Sequence, residues 1–323
     1  MPTSNVSGIR VKRVRIRETP SDEFSLLKKM NCNGTLVYSA SQLVTYHIDT
    51  NKKETEEIEY GSSALDPVKF EPTKTGYVFV GWRTDNTASS EVLKEMTADT
   101  EGIELYAVFK KNVTLTYNGG GATSGNIASH SGDAYYNNGK TAGAELELKS
   151  NGFARTNYTF SRWAAGSKSG TKYNAGGKIT ITADTTMYAM WKAKTFTTSS
   201  FTIHGYGNSN YPNAVKSESV LKTLISSIDL TGFGSISLSI GNFHSSDGIE
   251  NANNSGAQAR IKLSGTTVIT ATTHSKSKTT GSGSYDCSSI TGSRSVEHCY
   301  YNMDGDCEAD GCTLTFTSSG KEV

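Results

Sequence analysis

The chain has 323 residues, 35% of them hydrophobic, and a net charge of +1. That length suits two or three domains, and the modest apolar content, with abundant Gly, Ser, Thr and Asn, suits several small β domains rather than one large core. A balanced charge excludes a strong general pull toward nucleic acid or membrane, and no apolar run is long enough to cross a bilayer.

Residues 9–17 alternate apolar and basic side chains, with one phase slip at Lys12-Arg13. The pattern predicts a strand, bulged at the slip, whose cations face water and discourage mispairing of an edge. No aromatic residue is interleaved for base stacking, so nucleic acid is not the expected partner. The same basic stretch lacks an apolar h-region, so no Sec signal peptide is expected. Asn33-Gly34 between apolar flanks predicts a tight hairpin.

Residues 43–49 alternate as a strand, and residues 55–60 are its expected hairpin partner after a polar turn at residues 51–53. In the next strand, Tyr77, Phe79 and Gly81 are expected on one face and Val78, Val80 and Trp82 on the other. Residues 89–96 read as a short helix, capped by Ser90, with Val92, Leu93 and Met96 on one side. Residues 105–109 close the unit as a strand.

The unit then recurs. Gly76-Tyr77-Val78-Phe79-Val80-Gly81-Trp82 is echoed by Asn157-Tyr158-Thr159-Phe160-Ser161-Arg162-Trp163, and Leu105-Tyr106-Ala107-Val108-Phe109 by Met187-Tyr188-Ala189-Met190-Trp191. The copies are offset by 81 positions at the tryptophans and 82 at the Tyr-Ala pairs, against only 69 at the opening strand of residues 113–117. The second copy therefore carries about a dozen extra residues around residues 119–140, expected to be surface loops. Beyond Lys194 short alternating runs follow, with one helical stripe of Val220, Leu221, Leu224, Ile225 and Ile228. They predict a β-sandwich-like domain with one helix.

Residues 42–111 resemble the Listeria–Bacteroides repeat, the internalin B-type repeat, a small β-grasp module. The resemblance rests on Val44-Thr45-Tyr46, Tyr60-Gly61, Pro72, the Tyr77 to Trp82 motif and the closing Leu105 to Phe109. Residues 112–193 are a looser copy, with Asn157 where the family has Gly, Arg162 before the tryptophan, and longer early loops. The resemblance implies a mainly β chain in four parts: a hairpin docking segment at 1–41, β-grasp repeats at 42–111 and 112–193, and a sandwich-like domain at 194–323. That order of parts resembles tail-associated structural proteins of phages and prophages of Firmicutes.

The repeated aromatics, Tyr77, Phe79, Trp82, Tyr106, Tyr158, Phe160, Trp163, Tyr188 and Trp191, could offer sugar-stacking platforms. Their recurrence in a module with so little core marks them instead as structural core. Cys287, Cys299, Cys307 and Cys312 cluster late in the chain, with Cys32 apart. Their spacings do not match the close pairs of a zinc site, and disulfides and free thiols both remain open. Asp306, Glu308, Asp310 and Gly311 match the first half of a calcium loop. Thr317 stands where the closing Glu belongs, so a solvated turn is expected. His47, His130, His204, His244, His274 and His298 are scattered, and no nucleophile or phosphate-loop motif accompanies them. No enzyme, cofactor or metal is expected.

The resulting expectation is a virion structural protein of the phage tail or tail tip. Its front segment would bind other virion proteins, and its end domain would bind a glycan or protein of the host surface. It would be homo-oligomeric in the particle, without nucleic acid or membrane insertion. Weak single contacts would gain strength from many copies. Tyr206, Tyr211, Tyr285, Tyr300 and Tyr301 are the expected host contacts. The alternatives are a capsid decoration or head fibre, a bacterial surface adhesin, and a glycan depolymerase in the end domain.

Overall fold

A computed structural model describes residues 41–65, 72–98, 102–205, 221–245, 257–301 and 307–323. It describes only the backbone of the strands Val14–Ile16, Ser25–Leu27, Lys29–Cys32 and Thr35–Ser39, and of residues 204, 205, 245 and 307. Among the described residues every regular element is a strand. Val14–Ile16 pairs antiparallel with Ser25–Leu27, and Lys29–Cys32 with Thr35–Ser39, the hairpin expected around Asn33-Gly34. Residues 9–13, with the expected slip, lie outside the described residues.

In the first repeat, Ser41–Asp49 forms a hairpin with Lys52–Glu59 and runs parallel to Ile103–Asn118, from Val44 opposite Ile103 to His47 opposite Tyr106. Val78–Arg83 lies antiparallel to the same long strand. Alternation sends Val44, Tyr46 and Ile48 from one strand, and Leu105, Ala107 and Phe109 from another, into one core with Trp82. The strand expected to close the first repeat and the strand expected to open the second are one continuous element, Ile103–Asn118.

The expected faces around Tyr77 hold only as far as Phe79. Phe79 pairs with Phe109 and Gly81 with Val108, so Val80 is an extra residue in a β-bulge. The bulge shifts the alternation by one, and Trp82 rejoins Phe79 at a ring separation of 5.3 Å. The second repeat does the same: Ser161 is extra between Phe160 and Arg162, and Phe160 meets Trp163 at 4.9 Å.

The helix expected at residues 89–96 is absent, and the segment is irregular, with bends at residues 89, 90 and 94. Leu93 N–H donates to the Trp82 carbonyl, Ala64 N–H to that of Met96 and Ala98 N–H to that of Ser62, each at 2.8 Å. These bonds already use the backbone groups a helix would need. Leu93 and Met96 still reach the core, so their clustering reflected burial rather than helical period.

The extra residues of the second repeat are not merely loops. His130–Asn137 is a strand paired with Ile103–Asn118, from His130 opposite Leu115 to Asn137 opposite Val108. It delivers Tyr136, 9% exposed, into the core of the first repeat, where its hydroxyl donates to the Asp49 carboxylate. Asn137 is fully buried and its amide donates to the carbonyls of Asp85 and Thr87 at 3.1 and 3.0 Å.

The C-terminal region holds two antiparallel sheets. One runs from Phe196–Thr197 and Phe201–Gly205 through Cys307–Ser318 and Phe233–Ser245 to Thr279–Asp286. The other orders Lys222–Asp229, Ser293–Tyr301, Ala257–Leu263 and Thr266–Thr273. Their buried side chains include Ile236 and Leu238 of the first sheet and Ile261 and Ile269 of the second. At Gly283 the approach is so close that a Cβ would lie 2.5 Å from Ile269 Cγ2. The helical stripe expected from Val220 to Ile228 is the strand Lys222–Asp229; Val220 itself lies outside the described residues. Two bulges against Ser293–Tyr301 stretch its apolar spacing beyond two, which imitates a helical period.

The chain divides into two compact units. One comprises Met1–Thr116, Ser129–Leu148 and Lys178–Thr185; the other comprises Tyr117–Ala128, Lys149–Gly177 and Thr186–Val323.

Candidate functional site

The repeated tryptophans are interior. Trp82, Trp163 and Trp191 are 3, 0 and 2% exposed. Trp163 Nε1–H donates to the Lys149 carbonyl at 3.0 Å, and Trp191 Nε1–H to that of Gly119 at 2.8 Å. Large aromatics with their one polar group satisfied offer no face to a ligand. Tyr158 is buried with them, while Tyr77, Phe79 and Phe160 are half-buried at the core margin. Tyr106 and Tyr188 correct the expectation: both are half-buried on the opposite face of their strands from Leu105 and Ala107, or Met187 and Ala189. Tyr106 stacks on His47 at 4.4 Å, and the His47 ring is bonded to Glu104.

The five tyrosines expected at the host contact do not form one surface. Tyr206 and Tyr211 lie outside the described residues. Tyr300 is fully buried, because its strand position, opposite Ala259, faces the second sheet's partner layer. Its side chain is therefore core rather than contact. Tyr285 and Tyr301 are half-buried, in different sheets. The Arg260 guanidinium lies 3.6 Å above the Tyr301 ring and is held there by Gln258 Oε1 at 2.7 and 3.0 Å.

Cys287 and Cys312 are buried thiols. Burial pushes the Cys287 thiol up and that of Cys312 to about 12, so both stay protonated and unreactive at neutral pH. His298 and Cys299 are neighbours on one strand and so point to opposite faces. Burial, with Lys222 nearby, holds His298 below its usual range, hence neutral. Asp306 lies outside the described residues; Glu308, Asp310 and Gly311, expected in a solvated turn, instead lie in the strand Cys307–Ser318, where Asp310 accepts a bond from Thr202 Oγ1 at 2.7 Å.

The most developed polar cluster lies within the second unit, and sequence reasoning missed it. Arg155, 8% exposed, stacks 3.8 Å over the Tyr158 ring and donates from Nη2 to Asp229 Oδ2 at 2.7 Å. The Tyr158 hydroxyl reaches the carbonyls of Asp229 at 3.0 Å and Thr231 at 2.7 Å. Burial raises the Asp229 carboxyl, but bonds from Thr231 and Arg155 more than offset this and leave it lowered. Burial pushes the Tyr158 phenol up to about 12. A second contact follows: Arg162 Nε donates to Glu322 at 2.8 and 3.0 Å, and Ser161 Oγ to the same carboxylate. Trp191 and Val323 exchange backbone bonds of 3.1 and 2.9 Å. The second repeat is thereby held at three points by the C-terminal region, at Asp229 of the second sheet and at Glu322 and Val323 beyond the last sheet strand.

A signal for this cluster was present. Lys74-Thr75-Gly76-Tyr77 and Arg155-Thr156-Asn157-Tyr158 are equivalent turns, each closed by a 3.0 Å bond from the tyrosine N–H to the cation's carbonyl. The third residue has positive φ in both, 76° at Gly76 and 68° at Asn157, as a type II turn requires. In both copies the cation is met by an aspartate: Lys74 by Asp49 at 2.6 Å, Arg155 by Asp229. Repetition of a cation three residues before the tyrosine was legible; its partner was not.

The described surface also carries a cleft of about 370 Å³ lined by Asn118 to Gly125 and Phe153, and one of about 230 Å³ lined by Arg83, Thr84, Glu91, Val92 and Leu93. No helix of the described residues is long and apolar enough to cross a membrane. Among protein families, the model of the Listeria-Bacteroides repeat domain matches two adjacent stretches, residues 43–108 and 114–190. No curated protein and no solved structure matches the chain.

Proposed function

We propose, from two adjacent Listeria-Bacteroides repeats ahead of a distinct two-sheet domain, that the chain is a non-enzymatic adhesive protein of a phage virion. On this reading the repeats are β-grasp spacers of the internalin B type, and the C-terminal region is a β-sandwich that contacts the host surface. Residues 1–41 dock on the tail or tail tip, and the protein is extracellular once the particle is released. The parallel pairing of Ser41–Asp49 with Ile103–Asn118 supports the β-grasp reading of the first repeat.

The observation that carries the proposal is the three-point lock of the second repeat to the C-terminal region. An adhesive head must transmit load to its support without swivelling, and a buried Arg–Asp pair, an Arg–Glu pair and a strand-like backbone exchange do that. A free-standing catalytic domain has no need of such a joint. The test is to purify particles from the producing strain and follow the protein by cosedimentation and immunogold imaging. Recovery with particles and label at the tail supports the reading. Label on the head points to a decoration protein, and label on the cell wall alone overturns the virion assignment. New reducing ends from host wall polysaccharide would overturn the non-enzymatic part.

A further inference from the structure

Four strand edges bound the two C-terminal sheets. A free edge is a template for another strand, and proteins blunt such edges with bulges, breaks or charges. Three of the four are blunted. The Phe196–Thr197 and Phe201–Gly205 edge is broken into two short pieces. Lys222–Asp229 carries two extra residues against its neighbour, and Thr266–Thr273 carries one. The fourth, Thr279–Asp286, is different. It holds no proline or lysine, and its single register shift places the extra residue on the neighbouring strand Phe233–Ser245. Among the described residues nothing pairs with its outer side.

We propose that this edge pairs with the same strand of a second copy, antiparallel, about a twofold axis through Ser282. The sequence Lys278-Thr279-Thr280-Gly281-Ser282-Gly283-Ser284-Tyr285-Asp286 is self-complementary about that residue. Thr280 falls opposite Ser284, Gly281 opposite Gly283, and Lys278 opposite Asp286. Thr280, Ser282 and Ser284 are exposed on the outer face, whereas Gly283 lies against Ile269 on the inner face. Only this register sets both glycines of each copy opposite glycines of the other; a slip of one residue turns one copy's glycines outward. Parallel pairing would set the two Asp286 carboxylates side by side, while the antiparallel form gives each a lysine. The contact is isologous and closes on itself, so it yields dimers rather than fibres. It holds whether the chain is displayed on a particle or on a cell.

The experiment is sedimentation velocity of the full chain across a range of concentrations, with three sets of variants. The wild type is expected to form a reversible dimer. Lys278→Glu or Asp286→Lys alone replaces two attractive pairs with two repulsive ones and is expected to raise the dimer Kd about tenfold; the Lys278→Glu/Asp286→Lys double variant restores it. Ser282→Cys is expected to give a covalent dimer under mild oxidation. Thr280→Cys alone does not, because its opposite number is Ser284, but Thr280→Cys/Ser284→Cys does. A wild type that stays monomeric at every concentration overturns the proposal. So does a dimer indifferent to the charge swap, or one that cross-links through Thr280→Cys as readily as through Ser282→Cys.

Discussion

Asn157 does at one position what Gly76 does at its counterpart: both hold the third place of the turn at positive φ. Glycine has no steric cost there, and asparagine is the side chain that tolerates it best. Nothing lies within 4 Å of the place a Cβ would take at Gly76, so the constraint is the backbone angle alone. Gly76→Ala and Asn157→Ala are each expected to cost about 1 kcal/mol, and Asn157→Gly to be neutral or slightly stabilising, by urea denaturation. The adjacent tryptophan responds to a different force. Trp163 is fully buried and touches Tyr117, Phe153 and Phe160. Trp163→Ala is expected to cost about 4 kcal/mol in the same measurement, through lost burial and the cavity left behind. A loss below about 1 kcal/mol, with weakened glycan binding, would instead mark it as a ligand platform. The alternation around Tyr77 misassigned Trp82 because one bulged residue changes every face beyond it.

At the scale of elements, the strand His130–Asn137 of the second repeat lies in the first unit and completes the first repeat's core. Its Tyr136 enters a hub with Asp49 and Lys74, whose ammonium lies 3.7 Å over the Tyr136 ring. Tyr136→Ala is expected to destabilise the first repeat, not only the second, by about 3 kcal/mol, read by hydrogen exchange in Ser41–Asp49. The hub also sets a pH dependence. Burial raises the Asp49 carboxyl, but bonds from Lys74, Tyr136 and Thr50 bring it from 3.8 to about 2. A carboxyl whose folded pKa is depressed stabilises the fold above its ordinary pKa and loses that contribution as pH falls toward the folded value. Wild type is therefore expected to be more stable than Asp49→Asn at pH 5, with the gap closing between about pH 4 and pH 2. Equal separation of the two melting curves at pH 5 and pH 2 would show that the carboxylate is idle. These residues read as loop in the sequence because their Gly, Asn and Ser content signals turns. Tyr135 and Tyr136 were the only hint of a buried edge, and no local pattern names the core they enter.

At the scale of the molecule, Lys149–Gly177 and residues 186–193 of the second repeat fall in one compact unit with the C-terminal sheets. The ion pairs Arg155–Asp229 and Arg162–Glu322, with the backbone exchange at Val323, should make them open as one cooperative body. In wild type, amide exchange in Tyr158–Ala165 and in Phe233–Ser245 is expected to report the same opening free energy. The Arg155→Ala/Glu322→Gln variant is expected to uncouple them, with Tyr158–Ala165 opening first. Removing Arg155 leaves Asp229 partly buried without its cation, which should cost about 2 kcal/mol beyond the lost contact of Arg155 with Tyr158. Equal protection factors in the variant would place the coupling elsewhere. Arg162 shows how the copies diverged. Its counterpart Gly81 leaves room for Val92, where a Cβ would meet that side chain at 2.9 Å, while Arg162 reaches across to Glu322.

The amino-acid sequence alone determined the mainly β class, the two tandem repeats and their motif, the hairpin of the first repeat and the inward role of the tryptophans. All of these are short-range: alternation, turn residues and recurrence are written in neighbouring positions. Only the tertiary structure decided which face Trp82 takes, that residues 89–96 and 220–228 are not helices, that Tyr136 serves the first repeat's core, and that Arg155 and Arg162 hold the C-terminal sheets. Those outcomes depend on bulges and on partners 70 to 160 positions away in the chain, such as Asp229 for Arg155 and Glu322 for Arg162. A side chain's local pattern can announce that it will be buried or paired, but the partner is chosen by how strands are brought together.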